Sequence, residues 1–155
     1  MILFFNEDID FQLLRKNSWK NWIKDVIHQH QEKLGEVNYI FCSDEHLLSI
    51  NQQYLNHDYY TDIITFPSEI NEGEISGDLF ISIDRVVEHS KDNHCPFIDE
   101  LKRVMIHGIL HLIGFGDKTE TESLKMRELE NKAMSMFHVE HESEYFKMNV
   151  SRETK

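Results

Sequence analysis

Along this chain, apolar residues either alternate with polar ones or recur at helical spacing, and the two periods divide it into short strands and amphipathic helices. Residues 1–7 open on Ile2, Leu3, Phe4 and Phe5 and read as a strand. Asp10 is placed to cap a long helix over residues 11–34, with Leu14, Trp19, Trp22, Ile23, Val26 and Ile27 on one face. The two tryptophans read as core anchors, and Gly35 as the end of that helix. Residues 37–42 form the next strand. Ser43, Asp44 and Glu45 then open a helix to residue 54, with Ser43 and His46 supplying half of a capping box.

Residues 56–60 read as a loop. Residues 62–66, with the β-branched Ile63, Ile64 and Thr65, form a strand ended by Pro67, and 69–74 an acidic turn. A strand over 75–83 and a helix over 84–92 follow. Pro96 suits the first turn of a helix over 97–113. A last helix over 120–136 carries Leu124, Leu129, Met134 and Phe137, and the polar residues from 138 on are expected to fray at their end. The order predicts a single α+β (α/β-like) domain over residues 1–155. A small mixed sheet of about four strands packs with five or so helices, and the 97–113 helix crosses one face.

Composition adds the class. At 155 residues, 40% hydrophobic and 28% charged, the chain has enough material for one well-filled core. Cys42 and Cys95 have no C-x-x-C partner, so they read as small buried thiols rather than a disulfide or thiolate–zinc framework. The apolar start lacks a basic leader and meets Glu7 and Asp8 at once, unlike a signal peptide. No stretch reaches the ~18 apolar residues of a membrane span. A cytoplasmic location is expected.

The net charge of −12 argues against unspecific nucleic-acid binding, which needs a cationic footprint. The charge is uneven. Residues 35–100 hold fourteen acidic residues against Arg85 and Lys91, whereas residues 11–33 carry a net +3 that reads as a solvated helix face.

The candidate chemistry lies in His107-Gly108-Ile109-Leu110-His111-Leu112-Ile113-Gly114-Phe115-Gly116-Asp117. Histidines four apart on a helix share a face and can present two imidazole nitrogens to one metal ion. Gly114 supplies a helix stop, and after the reversal Asp117 can return a carboxylate oxygen. Two nitrogens and one oxygen leave a fourth position open for water, the mark of a catalytic zinc site. The plainer alternative makes the histidines ordinary hydrogen-bonded residues and Asp117 the cap of the next helix. Zinc peptidases of the H-E-x-x-H type place a general base after the first histidine; here that residue is Gly108. Phosphoester chemistry, driven by a metal-polarised oxygen, survives this loss better than peptide hydrolysis. Arg103, one turn before His107, is a candidate phosphate contact. No residue is assigned as the general base.

These residues resemble a signature of the YbeY family, H-G-x-L-H-L-x-G-[YF]-D-H. A second family block, a Tyr-Arg pair before a T-[DN]-V-L-S-F-P strand, is similar to Tyr54-Leu55 and Thr61-Asp62-Ile63-Ile64-Thr65-Phe66-Pro67. A third, G-D-I-x-I-S, is similar to Gly77-Asp78-Leu79-Phe80-Ile81-Ser82. The three blocks stand in family order. The resemblance implies a metal-dependent, single-strand-specific endoribonuclease with one zinc ion per chain. It also implies a role in 16S rRNA 3′-end maturation and ribosome quality control, with the small ribosomal subunit and ribosomal proteins as partners.

Two departures stand out. The family's third ligand is histidine, and Asp117 takes its place, with Gly116 where the family has Asp. A carboxylate is a legitimate zinc ligand but shifts preference toward harder ions such as manganese or magnesium. Leu55 replaces an arginine that the family uses for RNA cleavage, and a leucine cannot hold a phosphate. His57, two residues on, offers a cation when protonated, and Thr61 and Asp62 are candidates to line the substrate groove. Three functional readings stay open. One is the endoribonuclease; another is a ribosome assembly or RNA-binding factor with a structural metal; the third is a metallohydrolase of other substrates.

Overall fold

The computed structural model describes residues 1–68 and 73–149, so most of the expected acidic turn at 69–74 lies outside the described residues. Strands β1 (Ile2–Asn6), β3 (Lys33–Cys42), β4 (Ile63–Pro67) and β5 (Glu74–Ser82) form a mixed sheet in the order β1-β3-β5-β4. β1 and β5 both run parallel to β3, with Ile2 beside Val37 and Tyr39 beside Leu79. β4 runs antiparallel to β5 and forms one edge, Ile63 pairing with Ile81. Helices α1 (Lys16–Gln29), α2 (Asp44–Leu55), α3 (Ile83–Asp92), α4 (Phe97–Ile113) and α5 (Glu120–Met134) complete the domain. A two-stranded ribbon, β2 (Phe11–Leu13) with β6 (Phe146–Met148), lies apart from the main sheet.

Strand periodicity sorts the core onto two faces. Tyr39, Phe41, Leu79 and Ile81 point to the face covered by α1 and α4, where Trp19, Trp22, Ile23, Leu101, Met105 and Ile109 are buried. Cys42, Ile64 and Phe80 point the other way, against Leu47 and Ile50 of α2. Each large side chain so buried contributes about 1.5–3 kcal/mol. Polar groups in the core are tied off. Tyr39 donates its hydroxyl to the Met105 carbonyl at 2.8 Å, anchoring α4 on the sheet, and Trp22 Nε1 donates to the Ala133 carbonyl at 2.9 Å.

The first helix is shorter than its pattern predicts, beginning at Lys16 and ending at Gln29. Asp10 does not cap it; Arg15 stands at the N-cap with φ 52°, and residues 11–13 pair with β6 instead. Gly35 is no helix stop but lies inside β3, where a Cβ would collide with the Ser76 hydroxyl of the neighbouring strand. Residues Glu142–Glu144 form a 3₁₀ turn and Phe146–Met148 form β6, while the fraying expected at the end of this segment falls on residues outside those described. α5 buries Met126, Glu130 and Ala133, while Leu124, expected on its apolar face, is 67% exposed. Both tryptophans are core anchors as their spacing implied.

Candidate metal centre

α4 forms because Leu101, Val104, Met105 and Ile109 recur on one buried face, with Asp99 and Glu100 at its positive N-terminal end. Gly108 lies on the buried face, and its missing side chain matters. A Cβ there would meet Ile63 Cδ1 at 2.9 Å and Leu79 Cδ2 at 3.0 Å, so glycine lets the helix approach β4 and β5 closely. His107 and His111 stand on the half-exposed flank. The helix stops at Gly114, whose φ of 123° suits glycine, and the Phe115 amide reaches back to the Leu110 carbonyl at 3.0 Å.

The turn then brings Asp117 to both histidines. His107 Nε2 and His111 Nε2 lie 2.9 Å apart, and Asp117 Oδ2 is 3.3 Å from each. Ligand atoms held tetrahedrally at 2.0–2.1 Å from one ion are roughly 3.3 Å apart, so the three converge as a metal's donors do. They fit a zinc-class ion in donor chemistry and in spacing. Asp117 does not cap α5. Thr119 does, in a capping box whose Glu122 side chain also accepts from the Lys118 amide at 3.1 Å. That frees the Asp117 carboxylate for the histidines. A Cβ at Gly116 would come within 2.9 Å of the Glu122 carboxylate, which would have to shift.

Glu130 of α5 completes the centre and went unnoticed in the sequence. It is 4% exposed and splits its carboxylate: Oε2 lies 2.7 Å from His107 Nδ1, and Oε1 accepts from Arg103 Nη1 at 2.8 Å. A carboxylate on Nδ1 fixes the ring and leaves Nε2 as the free lone pair facing Asp117 and His111. The only sequence signal is an acid between Met126 and Ala133 on a buried helical stripe. Burial by itself disfavours a charged His107. The Glu130 hydrogen bond and the fields of Glu130, Asp117 and Asp62 outweigh it and hold the imidazole above its usual pKa. Glu130 moves oppositely: burial raises it, but the bonds from His107 and Arg103 bring its carboxyl below the usual range.

The three donors open onto a cleft of about 630 Å³ between α4, the β4 edge and the loop after α2. Leu55, His57, Thr61 and Asp62 line it, as does Lys118. Arg103 does not; its guanidinium is engaged by Glu130 and by Asn131 Oδ1 at 2.8 Å, in a smaller recess behind His107. Asp62 borders both spaces, 3.6 Å from His89 Nδ1.

A mixed sheet with a two-histidine helix packed on it, its histidines opening onto a cleft, defines a hydrolase-like domain with a metal-competent centre. A family model described as endoribonuclease YbeY matches residues 4–138. The endoribonuclease YbeY of Flavobacterium psychrophilum is 49% identical over 138 residues, covering 89% of this chain and 98% of that one. That of Cytophaga hutchinsonii is 46% identical, covering 87% and 94%. The solution structure of TM1509 from Thermotoga maritima superposes with a TM-score of 0.63 at 26% identity, over 88% of this chain and 89% of that one. The chain belongs to the YbeY endoribonuclease family.

Proposed function

We propose that this chain is a zinc-dependent, single-strand-specific endoribonuclease. It acts in the cytoplasm on the 3′ end of 16S rRNA and in ribosome quality control, with the small ribosomal subunit and its proteins as partners. Residues 1–155 work as one domain, and His107, His111 and Asp117 hold one zinc ion. The observation that carries this reading is the convergence of those three donor atoms on the floor of an open cleft. An ion held there supplies a Lewis acid for a phosphoryl oxygen and lowers the pKa of water.

The chain's own residues do the rest. Glu130 locks the His107 ring so that Nε2 faces the cleft. The Thr119–Glu122 capping box holds the turn that delivers Asp117. Lys118, beside Asp117, offers the cleft a cation for phosphate, a task that Arg103 cannot perform while it is engaged by Glu130.

The test is metal content by elemental mass spectrometry, together with cleavage of single-stranded RNA. Wild type is expected to carry near one zinc per chain and to cleave in a chelator-sensitive way, and the His107→Ala and His111→Ala variants to lose both. Zinc without cleavage would favour an assembly factor with a structural metal, the reading that Leu55 in the cleft supports.

A further inference from the structure

We infer that Tyr59, backed by His57, is a nucleobase-stacking platform at the mouth of the metal cleft, so that RNA is gripped there by ring stacking more than by phosphate neutralisation. This rests on the endoribonuclease reading above.

Three tyrosines near the cleft are strongly exposed: Tyr54, Tyr59 and Tyr60. Two have structural work. Tyr54 packs edge-on against Phe66. Tyr60 donates its hydroxyl to Glu45 at 2.8 Å and takes the Arg85 guanidinium over its ring at 5.1 Å. Tyr59 alone of the three lines the cleft that holds the metal donors. His57 stacks on one of its faces, with centroids 5.1 Å apart and planes 22° apart, and Tyr59 Oη lies 3.1 Å from His57 Nδ1. With this contact made, the tyrosine remains 55% exposed, leaving much of its surface available to a ligand.

The pair is also held in place before any ligand arrives. Asn56 reverses the chain in the left-handed region at φ 54°, a conformation asparagine tolerates. Asn51, buried on α2, then fixes the backbone at both aromatic residues. Its Nδ2 donates to the Tyr59 carbonyl at 2.8 Å, and its own carbonyl accepts from the His57 amide at 3.1 Å. A platform ordered in advance loses little freedom on binding.

Charge points the same way. Among the described residues lining the cleft, Lys118 is the one fixed cation, while Asp62 and Asp117 are acidic and Leu55 is neutral. A chain of net charge −12 has little to offer a polyphosphate backbone by Coulomb attraction. Every base has a π-face, and stacking on an aromatic side chain is largely independent of sequence and of net charge. Only unpaired bases present that face, which matches a single-stranded substrate.

The test is fluorescence anisotropy of 5′-labelled oligoadenylate and oligouridylate with the zinc-loaded full chain, across a salt series. Tyr59→Ala is expected to weaken binding on the order of tenfold to a hundredfold. Tyr59→Phe and Tyr59→Trp should retain it, with zinc content unchanged in all three. Oligoadenylate and oligouridylate should both bind and both lose affinity in Tyr59→Ala, and the salt slope should be shallow, near one phosphate contact. Equal affinity of wild type and Tyr59→Ala for RNA overturns the platform and leaves the nuclease reading standing. A Tyr59→Phe variant as weak as Tyr59→Ala, or a steep salt slope, also overturns it. No RNA binding by wild type, or binding of an unfolded peptide instead, overturns the platform and the nuclease reading together.

Discussion

Glu130 Oε2 lies 2.7 Å from His107 Nδ1, and the same carboxylate reaches Arg103 through its other oxygen. One buried acid from α5 therefore orients a donor on α4 and compensates a cation on α4. Glu130→Gln keeps the shape and loses the charge. Metal affinity, read by competition with a chromophoric chelator, should fall about 10–100-fold, the usual cost of losing such a supporting partner. Thermal stability should fall as well, because Arg103 is left half-buried beside a neutral amide. Unchanged metal affinity would show that the His107 ring is held by packing alone.

Asp117 and Gly116 stand where the family signature reads His and Asp, and the two positions should respond differently to the signature residues. Asp117→His keeps a donor at the turn and should retain metal, whereas Asp117→Ala should weaken its binding at least tenfold. Gly116→Asp introduces a side chain against the Glu122 carboxylate. It should loosen the capping box and lower both helix stability, by about 1 kcal/mol, and metal affinity. Isothermal titration with zinc, beside thermal melts, separates the two effects. Equal metal affinity of Gly116→Asp and wild type would show that the turn does not depend on Glu122.

Gly108 occupies the place of the peptidase general base, and the packing explains why no acid stands there. Its Cα faces Ile63 and Leu79, not the cleft. Gly108→Glu should therefore not create a peptidase. It forces a carboxylate into an apolar contact and should cost about 3 kcal/mol or more, seen as a large loss of melting temperature or as insoluble protein. A stable Gly108→Glu variant that hydrolyses casein would refute this account of the helix face.

The two thiols should differ in reactivity. Burial, with help from Asp8 and Asp84, pushes the Cys42 thiol up to about 12. Cys95 is raised by burial too, then by Glu100 and Asp99, but it is only half-buried. Thiolate is the reactive form, and it grows as pH rises through the pKa. Iodoacetamide at mildly alkaline pH should therefore label Cys95 slowly and leave Cys42 untouched, with both labelled in denaturant. Mass spectrometry of the modified peptides reads the order. Labelling of native Cys42 at a rate equal to that of Cys95 would mean that the C-terminal end of β3 opens readily.

The sequence carried local periodicity well. The strand at 37–42, the helix at 97–113 and the Gly114 stop were legible because each follows from residues within a few positions of one another. So was the His107–His111–Asp117 cluster, since ten residues and one turn suffice to bring it together. The false extension of the first helix back to residue 11 has a non-local cause: residues 11–13 find their partner at 146–148, which no local pattern announces. Gly35 misled for the same reason, as its strand role depends on Ser76 next door. Glu130 was invisible because its partners, Arg103 and His107, lie 27 and 23 residues away on another helix.

The ribbon of β2 and β6 has a bearing on how the chain comes to be folded during synthesis. Trp19 Nε1 is satisfied by carbonyls at residues 14 and 145, and Trp22 Nε1 by the one at 133. Two of the first helix's hydrogen-bond acceptors therefore lie 111 and 126 residues further along the chain. A polypeptide emerging from the exit tunnel residue by residue cannot complete those hydrogen bonds until residues 133 and 145 have left it. Final seating of the first helix thus waits on residues 133 and 145, and until they arrive two tryptophans remain available to chaperones.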